Sequence, residues 1–226
     1  MRSTAGSTVP TGTAARPEHE GRVRRFSTAE RMVHRATGHL MLLCLVSAAC
    51  LYLGPLAQLV GRRHLLVTVH EWSGISLPLP FLLGLLSPAF RADLRRLNRF
   101  AVYDRRWLRA VRRRRTSPEA RPAGKFNAGQ KLNAAITAAF AILFAVTGTL
   151  LWLGERDTRF RFAQTILIHD WLTQVSLVLF VGHLYLAVIH PSTRHALNGM
   201  TRGWVDADWA ERHHEKWSRE VPPDTP

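Results

Sequence analysis

Cysteine is almost missing from this chain, which has two in 226 residues, Cys44 and Cys50. They stand six positions apart in one apolar run, which on a helix points them about 120° away from each other. That geometry does not close a disulfide, and the spacing matches no zinc or iron–sulfur pattern. Both read as packing residues. Acidic residues are also scarce, 16 against 31 Lys and Arg, giving a net charge of +15. Residues 1–25 have no apolar centre, only Ser, Thr, Gly, Pro and Arg in abundance. That composition excludes a signal peptide or a membrane span there and predicts a disordered tail. No internal repeat is visible.

What the chain does have is concentrated apolar sequence, hidden by a mean hydropathy of −0.06. Four blocks, at about 32–53, 65–86, 134–153 and 163–189, reach the roughly 20 residues that a bilayer crossing needs. Only helices and closed barrels satisfy their backbone groups in lipid, and apolar runs of this length are helical. The fold class is therefore an all-α integral membrane four-helix bundle. Ser27-Thr-Ala-Glu30 has the form of a capping box that starts the first helix near Thr28. Gly54-Pro55 ends it, and Pro78 and Pro80 predict a kink in the second span. Asn127-Ala-Gly-Gln130 opens the third span, which contains no ionisable residue.

The positive charge is not spread evenly. Residues 91–125 are packed with arginine against only Asp93, Asp104 and Glu119. Basic loops beside spans stay on the cytoplasmic side and attract anionic lipid headgroups, so the charge reads as topology rather than nucleic-acid binding. Spans one and three then run outward, two and four inward, and both termini are cytoplasmic. The chain divides into a tail (1–25), a transmembrane domain (26–200) and a cytoplasmic C-terminal tail (201–226). The stretch 204–217 in that last tail reads as a short interfacial or partner-docking helix.

Histidines inside the spans carry the chemistry, because polar groups in lipid are costly without partners. His169 and His183 lie 14 positions apart, four turns less about 40°, with a rise of about 21 Å. They leave one face of span four near opposite membrane surfaces. The topology puts His34 at the depth of His183, and His70 at the depth of His169. Two pairs at two depths are what two six-coordinate haem irons need, one imidazole from each side. The plainer alternative is a set of histidines hydrogen-bonding between helices. His39 faces about 140° away from His34, and His190 lies at the membrane boundary, where it could line a quinone or proton path. His64, His195, His213 and His214 read as solvated or interfacial.

At these residues the chain resembles the cytochrome b (gamma) subunits of respiratory formate dehydrogenases, within the bacterial cytochrome b561 and hydrogenase-type cytochrome b superfamily. The likeness lies in RFSTAERMVH (25–34), LVTVHEWSG (66–74), KFNAGQK (125–131), LIHDW (167–171), GHLYLAVIHP (182–191) and the tail WAERHHEKW (209–217). The resemblance implies two haem b groups, with His34 and His183 binding the inner iron and His70 and His169 the outer. It implies a quinone site, for menaquinone or ubiquinone, at Asn127, Gly129 and Gln130, where an N-terminal helix cap is the plainer reading. It further implies an iron–sulfur (beta) subunit and a molybdenum- or tungsten-containing catalytic (alpha) subunit as partners, in the bacterial cytoplasmic membrane. Nothing in the chain resembles a formate-oxidising site. Two other readings remain: the cytochrome b subunit of a nickel–iron hydrogenase or related oxidoreductase, and a haem-free scaffold recruiting an acidic partner. The Pro78/Pro80 kink, Glu71 after a candidate ligand and the long arginine-rich loop depart from the family pattern.

Overall fold

The computed structural model describes residues 21–115, 117, 121–160 and 162–220. The disorder expected for the N-terminal tail falls mostly outside these residues. Its last part, however, forms a strand, β1 (Arg22–Arg24).

Helix α1 (Thr28–Tyr52) starts where the capping box predicts: the Glu30 amide donates to Ser27 Oγ, and the Glu30 carboxylate accepts the Ser27 amide at 2.6 Å. Gly54-Pro55 ends α1 but opens another helix rather than a loop, α2 (Gly54–Val60). Proline in a first turn has no amide partner to lose. Gly61, at φ 66°, terminates α2. The second block is more broken than a kink. Helix α3 (Arg63–Ser76) stops, and α4 (Leu79–Gly84) restarts after Pro78. Helix α5 (Pro88–Asn98) then turns by 104°, and its arginines set it apart from the apolar helices.

The basic stretch 91–125 is not a plain loop, because α5 is followed by α6 (Val102–Arg112). Both helices carry arginine outward. Helix α7 (Ala128–Gly154) opens on a capping box made by Asn127 and Gln130. Helix α8 (Ala163–Leu184) continues through a π-helical turn, Tyr185–Ile189, where the His190 amide donates to Tyr185 O.

Helices α1, α7 and the α8 stretch Ala163–Ile189 are each long and apolar enough to cross a membrane, and the α3–α4 segment makes a fourth candidate only when it is counted together with the bent α5. Large apolar side chains face outward along them, as at Ile142 (65% exposed), Val178 (71%) and Leu86 (77%). On a protein in water such a belt would be an interaction surface; here lipid is its solvent. Beside Leu45 and Leu172, the buried positions in the middle of the spans are small: Ser47, Ser73, Thr147, Thr165 and Ser176. Small residues let helix backbones approach where lipid supplies no hydrophobic drive between helices. Gly84 shows the limit, since a Cβ there would lie 2.8 Å from Val33 Cγ2 on α1.

The conventional hydrophobic core sits instead in a cap at one end. After α9 (Leu197–Thr201), β2 (Trp204–Asp206) pairs antiparallel with β1, Val23 opposite Val205. Helices α10 (Ala207–His213) and α11 (Glu215–Ser218) follow. Val23, Val205, Trp209, Ala210 and Trp217 form the core. The 204–217 stretch is thus a strand and two short helices docked on their own chain, not one exposed helix. The β1–β2 pairing brings the residues before α1 and after α8 to the same end.

Candidate functional site

Helices α1, α3 and α8 each carry histidines, and the structure pairs them across helices, His70 and His169 half-buried and His34 and His183 more exposed. His34 on α1 faces His183 on α8 with ring centroids 6.1 Å apart. His70 on α3 faces His169 on α8 at 6.2 Å. A metal-bound imidazole nitrogen lies about 2.0–2.1 Å from its ion. With about 1.1 Å more from nitrogen to ring centre, two trans imidazoles on one ion have centroids about 6.2 Å apart. Both pairs match that span. Each pair could therefore hold one metal ion, such as a haem iron, between its two imidazoles. Among the described residues no group of three or more His, Cys, Asp or Glu comes together as a metal site.

The hydroxyl groups behind the second pair fix its tautomers. Thr147 Oγ1 lies 2.8 Å from Leu143 O, one turn back on α7, and 2.8 Å from His169 Nδ1. A carbonyl can only accept, so the hydroxyl donates to Leu143 and accepts from His169 Nδ1–H. Ser47 repeats the device on α1: it donates to Leu43 O at 2.6 Å, and His70 Nδ1 donates to Ser47 Oγ at 3.0 Å and to Cys44 O at 3.2 Å. Both rings therefore carry the proton on Nδ1 and turn an unprotonated Nε2 toward the other histidine, the form that ligates a metal. The sequence reading missed Ser47 and Thr147. Their only signal was a hydroxyl at the depth of each histidine in an otherwise apolar helix.

The other histidines are committed elsewhere. His39 Nδ1 donates to Arg35 O at 2.7 Å. His190 Nδ1 meets Ser192 Oγ at 3.1 Å, and its ring stands edge-on to Tyr185. His214 corrects its expected place in solvent: it is 2% exposed. Its Nδ1 donates to Gly124 O at 2.7 Å, which leaves Nε2 to accept from Arg25 Nη2 at 3.0 Å. Burial and the neighbouring guanidinium hold the His214 imidazole well below its ordinary range, so it is neutral. Arg25 in turn donates to Lys125 O at 2.9 Å and lies over the rings of Phe26, Trp209 and Trp217. Burial lowers it to about 10, still charged at neutral pH. The tail is thereby clamped to the strand before α1 and to the segment before α7.

That segment contains Asn127, Gly129 and Gln130. The Asn127 amide donates to Gln130 Oε1 at 3.0 Å, and the Gln130 amide to Asn127 Oδ1 at 2.9 Å. The cap uses the side-chain oxygens, so the –NH2 group of each side chain keeps its hydrogens for another acceptor. A Cβ at Gly129 would lie 3.1 Å from the Trp107 ring of α6, so glycine lets α6 pack against the start of α7. One turn on, Lys131 Nζ donates to Asp104 Oδ2 at 2.7 Å and to Arg99 O at 3.0 Å, tying both basic helices down. Before the cap, Lys125 Nζ donates to Glu30 Oε1 at 3.2 Å and to Asp93 Oδ2 at 2.5 Å. Three buried ionic groups therefore meet between α1, α5 and the entry to α7.

The family model for prokaryotic cytochrome b561 matches residues 25–203. The formate dehydrogenase cytochrome b556(fdo) subunit of Escherichia coli (strain K12) is 27% identical over 206 residues, covering 87% of this chain and 92% of its own length. The formate dehydrogenase cytochrome b556 subunit of Haemophilus influenzae is 27% identical over 174 residues, covering 73% of this chain and 68% of its own. The nitrate-inducible formate dehydrogenase cytochrome b556(Fdn) subunit of Escherichia coli (strain K12) is 30% identical over 107 residues, 43% of this chain and 45% of its own.

Proposed function

The chain belongs to the prokaryotic cytochrome b561 family, and on that premise we propose that it is the di-haem membrane-anchor subunit of a formate dehydrogenase complex. The observation that carries this reading is the pair of imidazole pairs, His34 with His183 and His70 with His169, each at the separation one six-coordinate iron needs. Haem b supplies one-electron redox chemistry when bound; the chain supplies ligation, orientation and tuning. Ser47 and Thr147 hold the His70 and His169 rings in the ligating tautomer. Helix α8 positions one ligand of each pair at the two membrane depths.

The arrangement supports one direction of electron flow. An iron–sulfur subunit docks at the end away from the termini, beside His70 and His169, and passes on electrons taken from formate by a molybdenum- or tungsten-containing subunit. Quinone is reduced at the termini end, beside His34 and His183. There the amide –NH2 groups of Asn127 and Gln130 and the backbone N–H groups opening α7 donate to the quinone oxygens. The arginine-rich α5 and α6 support a cytoplasmic side for that end, in a bacterial cytoplasmic membrane and against anionic lipid. Formate rather than hydrogen is favoured as the source because the similar proteins named above are formate dehydrogenase subunits.

Haem-to-protein stoichiometry of the purified chain tests the reading, with a value near two expected. His169→Ala should remove the signal of the haem at the far end and retain part of the other, and His183→Ala the converse. A protein that shows no b-type absorption on reduction ends the haem assignment.

A further inference from the structure

We propose that Glu30, Asp93 and Lys125 form a proton-holding relay that feeds quinone reduction from the surface at Arg96. The inference rests on the quinone site proposed above and deepens it. Glu30 is 6% exposed, Asp93 4% and Lys125 9%, so all three lie in the interior of the cap end. Lys125 Nζ bridges the two carboxylates at 3.2 Å and 2.5 Å, which brings two buried carboxyl groups together on one ammonium. Neighbouring carboxylates taken out of water favour keeping a proton on one of them.

The position of the triad suits transfer. Arg96 Nη1 donates to Asp93 Oδ1 at 3.0 Å, and the Arg96 side chain is 50% exposed, so Asp93 reaches the water edge. On the other side, Glu30 stands one helical turn before His34 on the same face of α1. Lys125 stands two residues before Asn127, and its carbonyl is held by Arg25. The charged groups that face Asp93 are Glu30 from α1, Lys125 from the segment before α7, Arg25 from the strand segment, and Arg96 on its own helix. Burial and the Glu30 hydrogen bond push Asp93 up to about 7, against the pull of Lys125. Its proton can therefore be both released and regained near neutral pH.

Reduction of a quinone to a quinol takes two electrons and two protons. The electrons would be supplied by a haem held between His34 and His183. For each proton, the carboxyl O–H bond of the pair breaks as a quinol O–H bond forms, and the pair then takes a proton from water at the Arg96 edge.

The test uses the intact complex in membranes. In the native protein the infrared C=O stretch of a protonated carboxyl should be present at pH 6 and fade as pH rises through about 7; Asp93→Asn should remove it. Asp93→Asn should also slow quinol formation by about 100-fold, within the range of lost acid–base groups, with haem content and haem reduction by formate unchanged. Asp93→Glu should restore rate and pH profile, which a merely structural role does not require. If Asp93→Asn loses haem, the infrared titration of the native protein decides: no protonated carboxyl near neutral pH overturns the relay. A Gln130→Ala variant separates the two layers. If Gln130→Ala slows quinone reduction while Asp93→Asn keeps the native rate and pH profile, the relay alone is overturned. If Gln130→Ala leaves the rate unchanged, the quinone site falls and the relay with it.

Discussion

Replacing Thr147 with Val removes one oxygen and leaves shape and β-branching in place, so α7 keeps its helix. The loss falls on His169. Its Nδ1–H now donates to Thr147 Oγ1 at 2.8 Å, and in Thr147→Val that half-buried donor is left without its partner. An unsatisfied buried donor costs about 1–3 kcal/mol. Loss of a hydrogen bond behind a metal-ligating histidine lowers metal affinity by about 10–100-fold, which at about 1.4 kcal/mol per decade is the same range. The expected result is a haem site weakened by that factor. The same change withdraws electron density from the ligating Nε2, so the reduction potential of that haem should rise. Ser47→Ala acts on His70, the opposite ligand of the same pair, so both variants should affect one haem and spare the other. Haem titration of the purified protein followed by reduced-minus-oxidised spectra at controlled potential would measure both effects. Unchanged affinity and potential in Thr147→Val, or an effect on the haem assigned to His34 and His183, would refute the tautomer reasoning.

Two further outcomes concern the cap. His214 is neutral in place and has an ordinary value of 6.5 when undocked, so its contribution is present above 6.5 and lost as pH falls. Tail docking should weaken about tenfold per pH unit below 6.5, read as faster proteolysis after Trp204 on acidification, with His214→Phe losing most of that dependence. Asp104→Ala leaves Lys131, 5% exposed, as an unpaired buried charge. Breaking such a pair costs about 3–5 kcal/mol, so the midpoint of denaturant unfolding in detergent should drop sharply, while Asp104→Ala, Lys131→Met together should recover much of it.

What the sequence could show depended on whether the signal was local. The Ser27–Glu30 and Asn127–Gln130 caps are four-residue patterns satisfied within one turn, and both formed as predicted. The depth pairing of histidines followed from helical rise and alternating direction, which need no knowledge of packing. The break at Pro78 was visible, but its extent was not, because the 104° turn of α5 depends on Gly84 meeting Val33 and Phe90 across helices. His214 was misread for the same reason. Its partners, Gly124 and Arg25, lie 90 and 189 positions away, and two adjacent histidines in a charged tail look solvated. Residues 91–125 read as a loop because arginine dominates the composition, whereas Asp104 and Trp107 provide the inward face that makes α6 a packed helix.

The two ends of the bundle are built on different principles, and the difference fits their proposed tasks. Behind His70 and His169 stand neutral hydroxyl groups, each with its own hydrogen already committed to a helix carbonyl. Such surroundings offer no proton, which suits the electron entry point proposed for this end. Near His34 and His183 the protein instead gathers Arg25, Glu30, Asp93, Lys125 and His214 into one buried polar cap, at a desolvation cost that a purely electron-carrying site would not need. The clamp of Arg25 and His214 holds the α7 entry in place, and the carboxyl pair beside it holds a proton. Electron transfer at one end and coupled electron and proton transfer at the other therefore require different surroundings for chemically similar histidine pairs.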